Sequence, residues 1–350
     1  SEVVANAVAS VRDGVRPELP MPRMTWAEAM KRYGSDKPDT RFAVELADVT
    51  EIVRNSEFGV FSGAAQSGGR VRMLAAPGGA AFSRKDISNL ETIAKEYGAK
   101  GLAWAKIEAG EGGGGATLTG GISKFLGETE VAALIQATGA VPGDVLLAVA
   151  DTFGTSAAAL GAVRLELGRK LELVDPERLD FLWVVDFPLF DRDEKTGDLS
   201  PAHHPFCMPA EASAEQLTSD PASVLARSYD LVLNGSELGS GSVRIHDSAT
   251  QRRVFQAIGL PEEEIEARFG FVIDAFAYGA PPHAGFAVGL DRLVMILAGE
   301  DSIREVIAFP KTAQAACLMT GAPTTIAPEQ LAEAGVRVIG GAVAAERVTS

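Results

Sequence analysis

Cysteine is rare in this chain, and its scarcity excludes a fold that depends on several disulfide bonds. Only Cys207 and Cys317 occur among 350 residues, and they stand far apart. Small secreted domains that depend on disulfides are dense in cysteine, so this composition favours a reduced, cytoplasmic setting. Two such distant cysteines also cannot form a zinc site with the usual ligand spacing.

Long apolar runs are missing as well. No uninterrupted apolar stretch reaches the ~18 residues that a membrane-spanning helix needs. Residues 1–4 lack the basic and long apolar regions of a secretory signal peptide. We therefore expect a cytoplasmic protein without a membrane partner.

Basic charge is in deficit, because 32 Lys and Arg face 47 Asp and Glu, which gives a formal net charge of -15. General binding to a polyanion requires clustered lysine and arginine, and no run of basic residues is longer than two, as at Arg252-Arg253. A nucleic acid partner would therefore have to be held by a local patch or by another domain.

Apolar residues are abundant, at 46% of the chain, which is enough to bury a large core in two or more domains. A first part, residues 1–42, opens with an apolar helical pattern and contains a short helix near 26–32, capped by Thr25 and ended by Gly34. The second part, 43–178, reads as a compact α+β unit, and the third part is 179–350.

Strands and helices alternate in the second part. Its apolar segments predict strands at 101–107 and 145–150 and helices near 84–97 and 155–173. The glycine-rich segment 110–115 lacks the Gly-Lys-Ser/Thr that ends a phosphate loop and carries an acid, so it indicates a flexible hairpin loop.

All four histidines lie in the third part: His203, His204, His246 and His283. The adjacent pair follows an acidic turn, and prolines on either side keep its loop extended. Neighbouring side chains usually point apart, so a shared metal site is disfavoured. A substrate-facing wall and a plain solvated loop both remain open for this segment.

Residues 229–245 predict a hairpin with a tight Asn234-Gly235 turn. Gly239 and Gly241 would leave one face of its second strand bare, so that a ligand could lie against the backbone. We expect Asp230, Glu237 and Arg244 to surround that face, as carboxylates suited to magnesium and a guanidinium suited to a carboxylate. A plain hairpin with surface charges is the alternative.

The run 283–297 joins an apolar, glycine-punctuated strand typical of a buried position to an apolar helix, with Arg292 at the junction. A buried arginine needs an anion. That anion could be an internal carboxylate, such as Asp291 or Asp274, or a bound ligand. Together with the hairpin, this run indicates nucleotide binding without a Walker or Rossmann signature.

The segment Gly289-Leu290-Asp291-Arg292 resembles motif 3 of the class II aminoacyl-tRNA synthetases. Further segments resemble the bacterial type of aspartyl-tRNA synthetases in particular, and they are residues 32–39, 203–206, 237–246, 281–285 and 306–311. The resemblance covers nearly the whole chain. The second part resembles the GAD insertion domain of that family. The implied fold is α+β, with part of the class II antiparallel sheet and its flanking helices plus an inserted α+β domain.

The resemblance also implies roles for residues. Arg292 would pack on the adenine of ATP as a catalytic residue, in a pocket completed by Gly289, Leu290 and Asp291. Glu237, also catalytic, and Asp230 would hold Mg²⁺ on the triphosphate. The remaining implied contacts are to the substrate L-aspartate, through His203, His204 and Arg244.

Motif 1, motif 2 with its Phe-Arg-x-Glu, and an anticodon-binding barrel are not found in the sequence. We therefore expect a C-terminal part of a synthetase that is inactive alone. In the intact enzyme the resemblance implies a homodimer that uses ATP and binds tRNA for aspartate, or also for asparagine, mainly through the barrel. A non-catalytic binding module and a related ligase or amidotransferase-associated protein remain alternatives.

Overall fold

The computed structural model describes residues 1–12, 16–110, 116–193 and 196–339. Two compact units divide the chain, Ser1–Gly289 and Leu290–Ser350. The helices are α1 (Glu2–Val11), α2 (Trp26–Tyr33), α3 (Gly59–Gln66), α4 (Arg84–Glu96), α5 (Glu128–Thr138), α6 (Phe153–Lys170), α7 (Gln216–Ser219), α8 (Ser248–Ala257), α9 (Glu262–Ala277), α10 (Leu290–Ala298) and α11 (Pro328–Glu333). The strands are β1 (Arg23–Thr25), β2 (Ala47–Asp48), β3 (Arg70–Ala76), β4 (Ala103–Ala109), β5 (Ala116–Thr119), β6 (Val145–Asp151), β7 (Phe181–Val185), β8 (Phe190–Arg192), β9 (Leu199–Pro201), β10 (Ser228–Leu233), β11 (Ser236–Val243) and β12 (Ala284–Val288).

The first unit contains a five-stranded sheet in the order β1-β7-β10-β11-β12. Its strands pair antiparallel, except that β1 runs parallel to β7 at one edge. Strands from both ends of the sequence thus meet in one sheet. Helix α2 packs against this sheet through a small core that includes Tyr33, Val184 and Val232. The α+β class and the mainly antiparallel sheet are as predicted.

Helix α2 begins and ends where the sequence predicts. The Thr25 hydroxyl accepts a hydrogen bond from the backbone N–H of Glu28, 3.1 Å away, and so caps the first turn. Gly34 ends the helix with φ +68°, a left-handed conformation that favours glycine. A Cβ at Gly34 would also overlap the carbonyl oxygen of Ala157 in α6, so the two backbones touch here.

A second five-stranded sheet, in the order β2-β3-β6-β4-β5, is antiparallel throughout. All its strands lie within the range predicted for the insertion, 43–178, whose boundaries stay a prediction. Side chains alternate between its faces, so that Leu74 packs with α4 and α6 while Met73 packs with α3 and α5. The predicted helices and strands of this part are confirmed within a few residues. Residues 111–115 of the glycine-rich loop lie outside the described residues.

Arg164 of α6 holds the segment that enters the second sheet. The side chain is 1% exposed and donates to the carbonyl oxygens of Asp39 at 2.8 Å, Phe42 at 3.0 Å and Val44. Its guanidinium also stacks on the rings of Phe42 and Tyr33, 3.9 and 4.8 Å from their centroids. Burial lowers the pKa of Arg164 to about 10, so the group stays charged at neutral pH.

The run 283–297 forms strand β12 and helix α10, as predicted. The expectation that this strand is buried is wrong, since all five of its residues are exposed. Strand β12 is the edge of its sheet, and within the described residues it pairs only with β11. Among the described helices, none is long and apolar enough to span a membrane.

Candidate functional site

Strands β10 and β11 form the predicted hairpin. Asn234 and Gly235 both have positive φ, 50° and 81°, as a tight two-residue turn of this type requires. The Asn234 side chain stabilises the turn, because its Oδ1 accepts from the Asp180 N–H and its Nδ2 donates to the Arg178 carbonyl oxygen, both at 2.9 Å. Asp230 stands opposite Ser240 across the pair.

The predicted bare face at Gly239 and Gly241 is filled. A Cβ at Gly239 would overlap the Phe286 ring, and one at Gly241 would overlap Tyr229 and the neighbouring strand. Trp183 completes this aromatic cluster, with its ring centroid 5.2 Å from that of Phe286. The glycines thus admit rings of the protein itself, and the expectation of a ligand surface there is wrong.

The charged residues lie on the opposite face of the sheet. Asp230 follows Tyr229 directly and Ser242 follows Gly241, and consecutive side chains of a strand point to opposite faces. The contacts agree, because the Ser242 hydroxyl lies 3.4 Å from His204 Nε2, and His204 contacts Arg244. This polar face is the candidate site.

His203 and Asp230 form one half of the site. His203 Nε2 lies 3.8 Å from Asp230 Oδ1, and the Phe187 ring packs edge-on against the imidazole at 4.8 Å. The Asp230 carboxylate raises the pKa of His203, with smaller contributions from Glu237 and Asp36, although burial opposes the shift. His203 thus holds its proton more tightly than a free histidine.

His204 and Arg244 form the other half. Arg244 Nη1 approaches both ring nitrogens of His204, at 2.9 Å from Nδ1 and closer to Nε2. Burial, and then the positive charge of Arg244, lower the pKa of His204. A neutral imidazole can accept a hydrogen bond from the guanidinium, so the pair is stable with only Arg244 charged. The two adjacent histidines therefore have opposite pKa shifts.

Arg244 is half-buried and lacks a carboxylate partner within the part of the chain that the structure describes. Its neighbours are the neutral His204 and, through the backbone, the His283 carbonyl oxygen at 2.9 Å. A partly desolvated guanidinium without a counter-ion favours binding of an anion, and its planar donors suit a carboxylate.

A cavity of about 650 Å³ opens beside His203, and both predicted magnesium ligands, Asp230 and Glu237, line it. Asp230 is 6% exposed, and its Oδ1 is buried without a hydrogen-bond partner among the described atoms. His203 Nε2, 3.8 Å away, is too distant for a hydrogen bond, so this carboxylate oxygen can also contact a cation. The described residues contain no cluster of three or more metal-binding side chains. Two carboxylates suit Mg²⁺ that arrives with a phosphate ligand, since this ion often keeps few protein ligands.

The predicted ATP residues fall at the junction of the two units. Gly289 ends the first unit, and its N–H donates to the Leu238 carbonyl oxygen at 2.8 Å. Leu290, Asp291 and Arg292 form the first turn of α10 in the second unit. Arg292 is exposed, so the expectation of a buried arginine is wrong. The assignment of these residues to ATP stays a prediction, as does the choice between an internal carboxylate and a ligand as the partner of Arg292.

Several residues near the site were not predicted from the sequence. Ser242 shares a face with Arg244, and alternation along 239–244 would have revealed this. The contribution of α6 had no local signal: Ala158, Ala162 and Leu165 line the same cavity as Asp230. Contacts between such distant segments depend on tertiary packing.

Comparisons with known proteins identify the family to which the chain belongs. The family model of class II tRNA synthetases (D, K and N) matches residues 1–313. An aspartate–tRNA ligase of Geobacillus kaustophilus is 51% identical over 340 residues, 97% of this chain and 57% of that protein. An aspartate–tRNA(Asp/Asn) ligase of Geobacillus sp. (strain WCH70) is 51% identical over 93% of this chain and 54% of its own length. The chain thus spans about half the length of these curated relatives.

Among solved structures, an aspartyl tRNA synthetase from Entamoeba histolytica matches with a TM-score of 0.29 and 27% sequence identity. That match covers 43% of this chain and 26% of the other.

Proposed function

Because the chain belongs to the class II tRNA synthetases of the D, K and N family, we propose that it forms part of the catalytic domain of an aspartate–tRNA ligase. The observation that carries this proposal is Arg244, a half-buried guanidinium that lacks a carboxylate partner among the described residues and contacts His204, the sequence neighbour of the cavity-lining His203. The side-chain carboxylate of aspartate is an anion that would complete it.

The proposed reaction has two steps. An oxygen of the aspartate α-carboxylate attacks the α-phosphorus of ATP, the bond to the β-phosphate oxygen breaks, and pyrophosphate leaves. A terminal ribose hydroxyl of tRNA then attacks the carbonyl carbon of the adenylate. The acyl–phosphate bond breaks, AMP leaves, and the hydroxyl releases its proton. Both steps need alignment and charge neutralisation more than covalent help from the protein.

Each residue of the polar face has a place in this chemistry. Arg244 would bind the aspartate side chain, and asparagine would be rejected because its amide N–H groups would face a cation. His204 holds the guanidinium in position, and His203, whose pKa is raised by Asp230, would lie beside the substrate. ATP would bind at Gly289–Arg292.

Asp230 and Glu237 would hold Mg²⁺, which supplies charge neutralisation on the triphosphate. The buried Oδ1 of Asp230 supports this, because it accepts no hydrogen bond from the described atoms and lies 3.8 Å from His203 Nε2, so a cation can complete its contacts. We further infer that tRNA for aspartate, or also that for asparagine, binds mainly through an anticodon domain outside this sequence, and that the intact enzyme is a cytoplasmic homodimer.

The test is binding of two stable adenylate analogues, the sulfamoyl adenosines of aspartate and asparagine, measured by isothermal titration calorimetry. We expect the chain to prefer the aspartate analogue. Arg244→Ala should lose about 2 to 5 kcal/mol of binding to that analogue, the cost of removing a desolvated charge partner, and the preference with it.

Arg253→Ala is the matched control, because Arg253 is an exposed arginine of α8 outside the site. It should leave both affinities unchanged. If Arg244→Ala keeps the preference for aspartate, Arg244 does not read the side chain. If the wild-type chain binds neither analogue, it acts as a different kind of module.

A further inference from the structure

The cavity beside Asp230 has a second wall, which the synthetase chemistry above does not use. Its polar wall consists of His203, Asp230 and Glu237. The second wall belongs to the helices that pack on the second sheet, and it includes Tyr97, at the end of α4, and Leu165 of α6. Two parts of the first unit, built on different sheets, therefore enclose one space.

This second wall is fixed to the first by close backbone contact. A Cβ at Gly161 would lie 2.9 Å from the Gly34 carbonyl oxygen, so α6 touches the end of α2 without intervening side chains. The rings of Trp26 and Phe153 add a contact with centroids 6.3 Å apart. A wall anchored in this way presents its side chains at a set distance from the polar face.

The side chains of the second wall are apolar, and two are large and exposed. Tyr97 is 54% exposed and Leu165 is 49% exposed, although both face a cavity of ligand size. Ala158 and Ala162 between them leave space for a bulky group. A flat ring packs well on such a surface, with one face on the tyrosine and an edge on the leucine.

One aromatic group among the reactants of the proposed reaction has not yet been assigned a binding surface. Aspartate is assigned to Arg244, and the adenine of ATP to Gly289–Arg292. The terminal nucleotide of tRNA must reach the adenylate at the same polar face. We propose that Tyr97 and Leu165 bind the terminal base of the tRNA acceptor end and so orient its ribose hydroxyl for transfer. This inference rests on the proposed function.

Stacking on Tyr97 explains how an acidic chain can bind this end of an RNA. A base–aromatic stack needs no positive charge, unlike contacts to phosphates, and every base offers a π face. The side chain of Lys37, which lines the same cavity, is available for the backbone of the last nucleotide. Recognition here thus depends on shape and stacking rather than on a basic surface.

The experiment titrates the 350-residue chain with a fluorescein-labelled RNA hairpin that has a short 3′ single strand, at low salt, and follows anisotropy. Tyr97→Ala should weaken binding roughly 5- to 100-fold, the loss expected from one base stack. Tyr97→Phe keeps the ring and should bind like the wild type. Tyr278→Ala is the control, because Tyr278 is 93% exposed and lies beyond α9, outside the cavity.

A second RNA with an abasic terminal nucleotide makes the test specific. It should bind the wild type more weakly than the intact hairpin does, and it should bind Tyr97→Ala with the same affinity as the intact hairpin. An equal effect of the abasic site in both proteins, or no RNA binding by the wild type, overturns the proposal.

The adenylate-analogue titration separates this inference from the proposed function. An equal loss of analogue and RNA affinity in Tyr97→Ala would place the ring on the adenylate and refute the tRNA contact. Analogue binding by the wild type without any RNA effect would leave the ligase proposal standing and this one rejected.

Discussion

Replacing Arg164 by alanine removes the donors that hold segment 39–44. In the wild type the guanidinium serves the carbonyl oxygens of Asp39, Phe42 and Val44, and it is 1% exposed. Each buried acceptor that loses its donor costs about 1 to 3 kcal/mol. Because the truncated side chain leaves a space that water can partly fill, we expect a loss of about 3 to 5 kcal/mol in the free energy of unfolding.

Urea denaturation followed by circular dichroism measures this loss, provided that the slope of the transition is unchanged. Arg164→Met separates the contributions, because it keeps apolar contact with Phe42 and Tyr33 but donates no hydrogen bond. Arg169→Ala is the matched control on the same helix. Arg169 is exposed and, among the described residues, forms an ion pair with Glu166 alone, so the stability lost on its replacement should stay within experimental error.

A loss below about 1 kcal/mol in Arg164→Ala would contradict this role of Arg164, because it would mean that the carbonyl oxygens find other donors at little cost. The result also bears on the site. A Cβ at Gly235, in the hairpin turn that precedes Glu237, would lie 3.2 Å from Asp39 Cβ. Amide hydrogen exchange in this turn should therefore speed up in Arg164→Ala and stay unchanged in Arg169→Ala.

Two further predictions concern a glycine and the histidine pair. Gly34→Ala should lower the free energy of unfolding by about 2 to 4 kcal/mol, because left-handed strain adds to overlap with the Ala157 carbonyl oxygen. Gly139 has a similar φ but open space around it, so Gly139→Ala should lower it by only about 1 kcal/mol. Equal losses in urea denaturation would show that the overlap at Gly34 adds no cost. In NMR titrations His203 should titrate above the ordinary histidine pKa and His204 below it. His203 then adds stability that is fully present below pH ~6.5 and is lost as the pH rises through its raised pKa, whereas stability linked to His204 is lost as the pH falls through its lowered pKa. The reverse order of titration would contradict the contacts at the site.

The local elements could be predicted from the sequence because their causes are local. Thr25 and Gly34 mark the ends of α2 through a cap and a left-handed residue, and Asn234-Gly235 specifies the hairpin turn. Motif 3 and the segments around the histidines pointed to the synthetase family, which the family match over residues 1–313 confirms.

The glycines of β11 show where such reasoning fails. Their spacing predicted an empty face, but Phe286, more than 40 residues later, packs there. Which side chain fills a gap depends on the strand that pairs alongside, and β12 reaches β11 only after two helices. The exposure of β12 has the same origin, because burial follows from position in the sheet rather than from hydrophobicity alone.

Local sequence signals were enough to predict most helices and turns, the family and the residues with binding or catalytic chemistry, since propensity, capping and motif spacing act within a few positions of the chain. Three features became visible only in the folded chain: Asp230 and Arg244 share the face opposite the glycines, His204 pairs with Arg244, and α6 lines the cavity. Those contacts join residues distant in sequence, and side-chain packing and hydrogen-bond satisfaction select them only once the two sheets have formed.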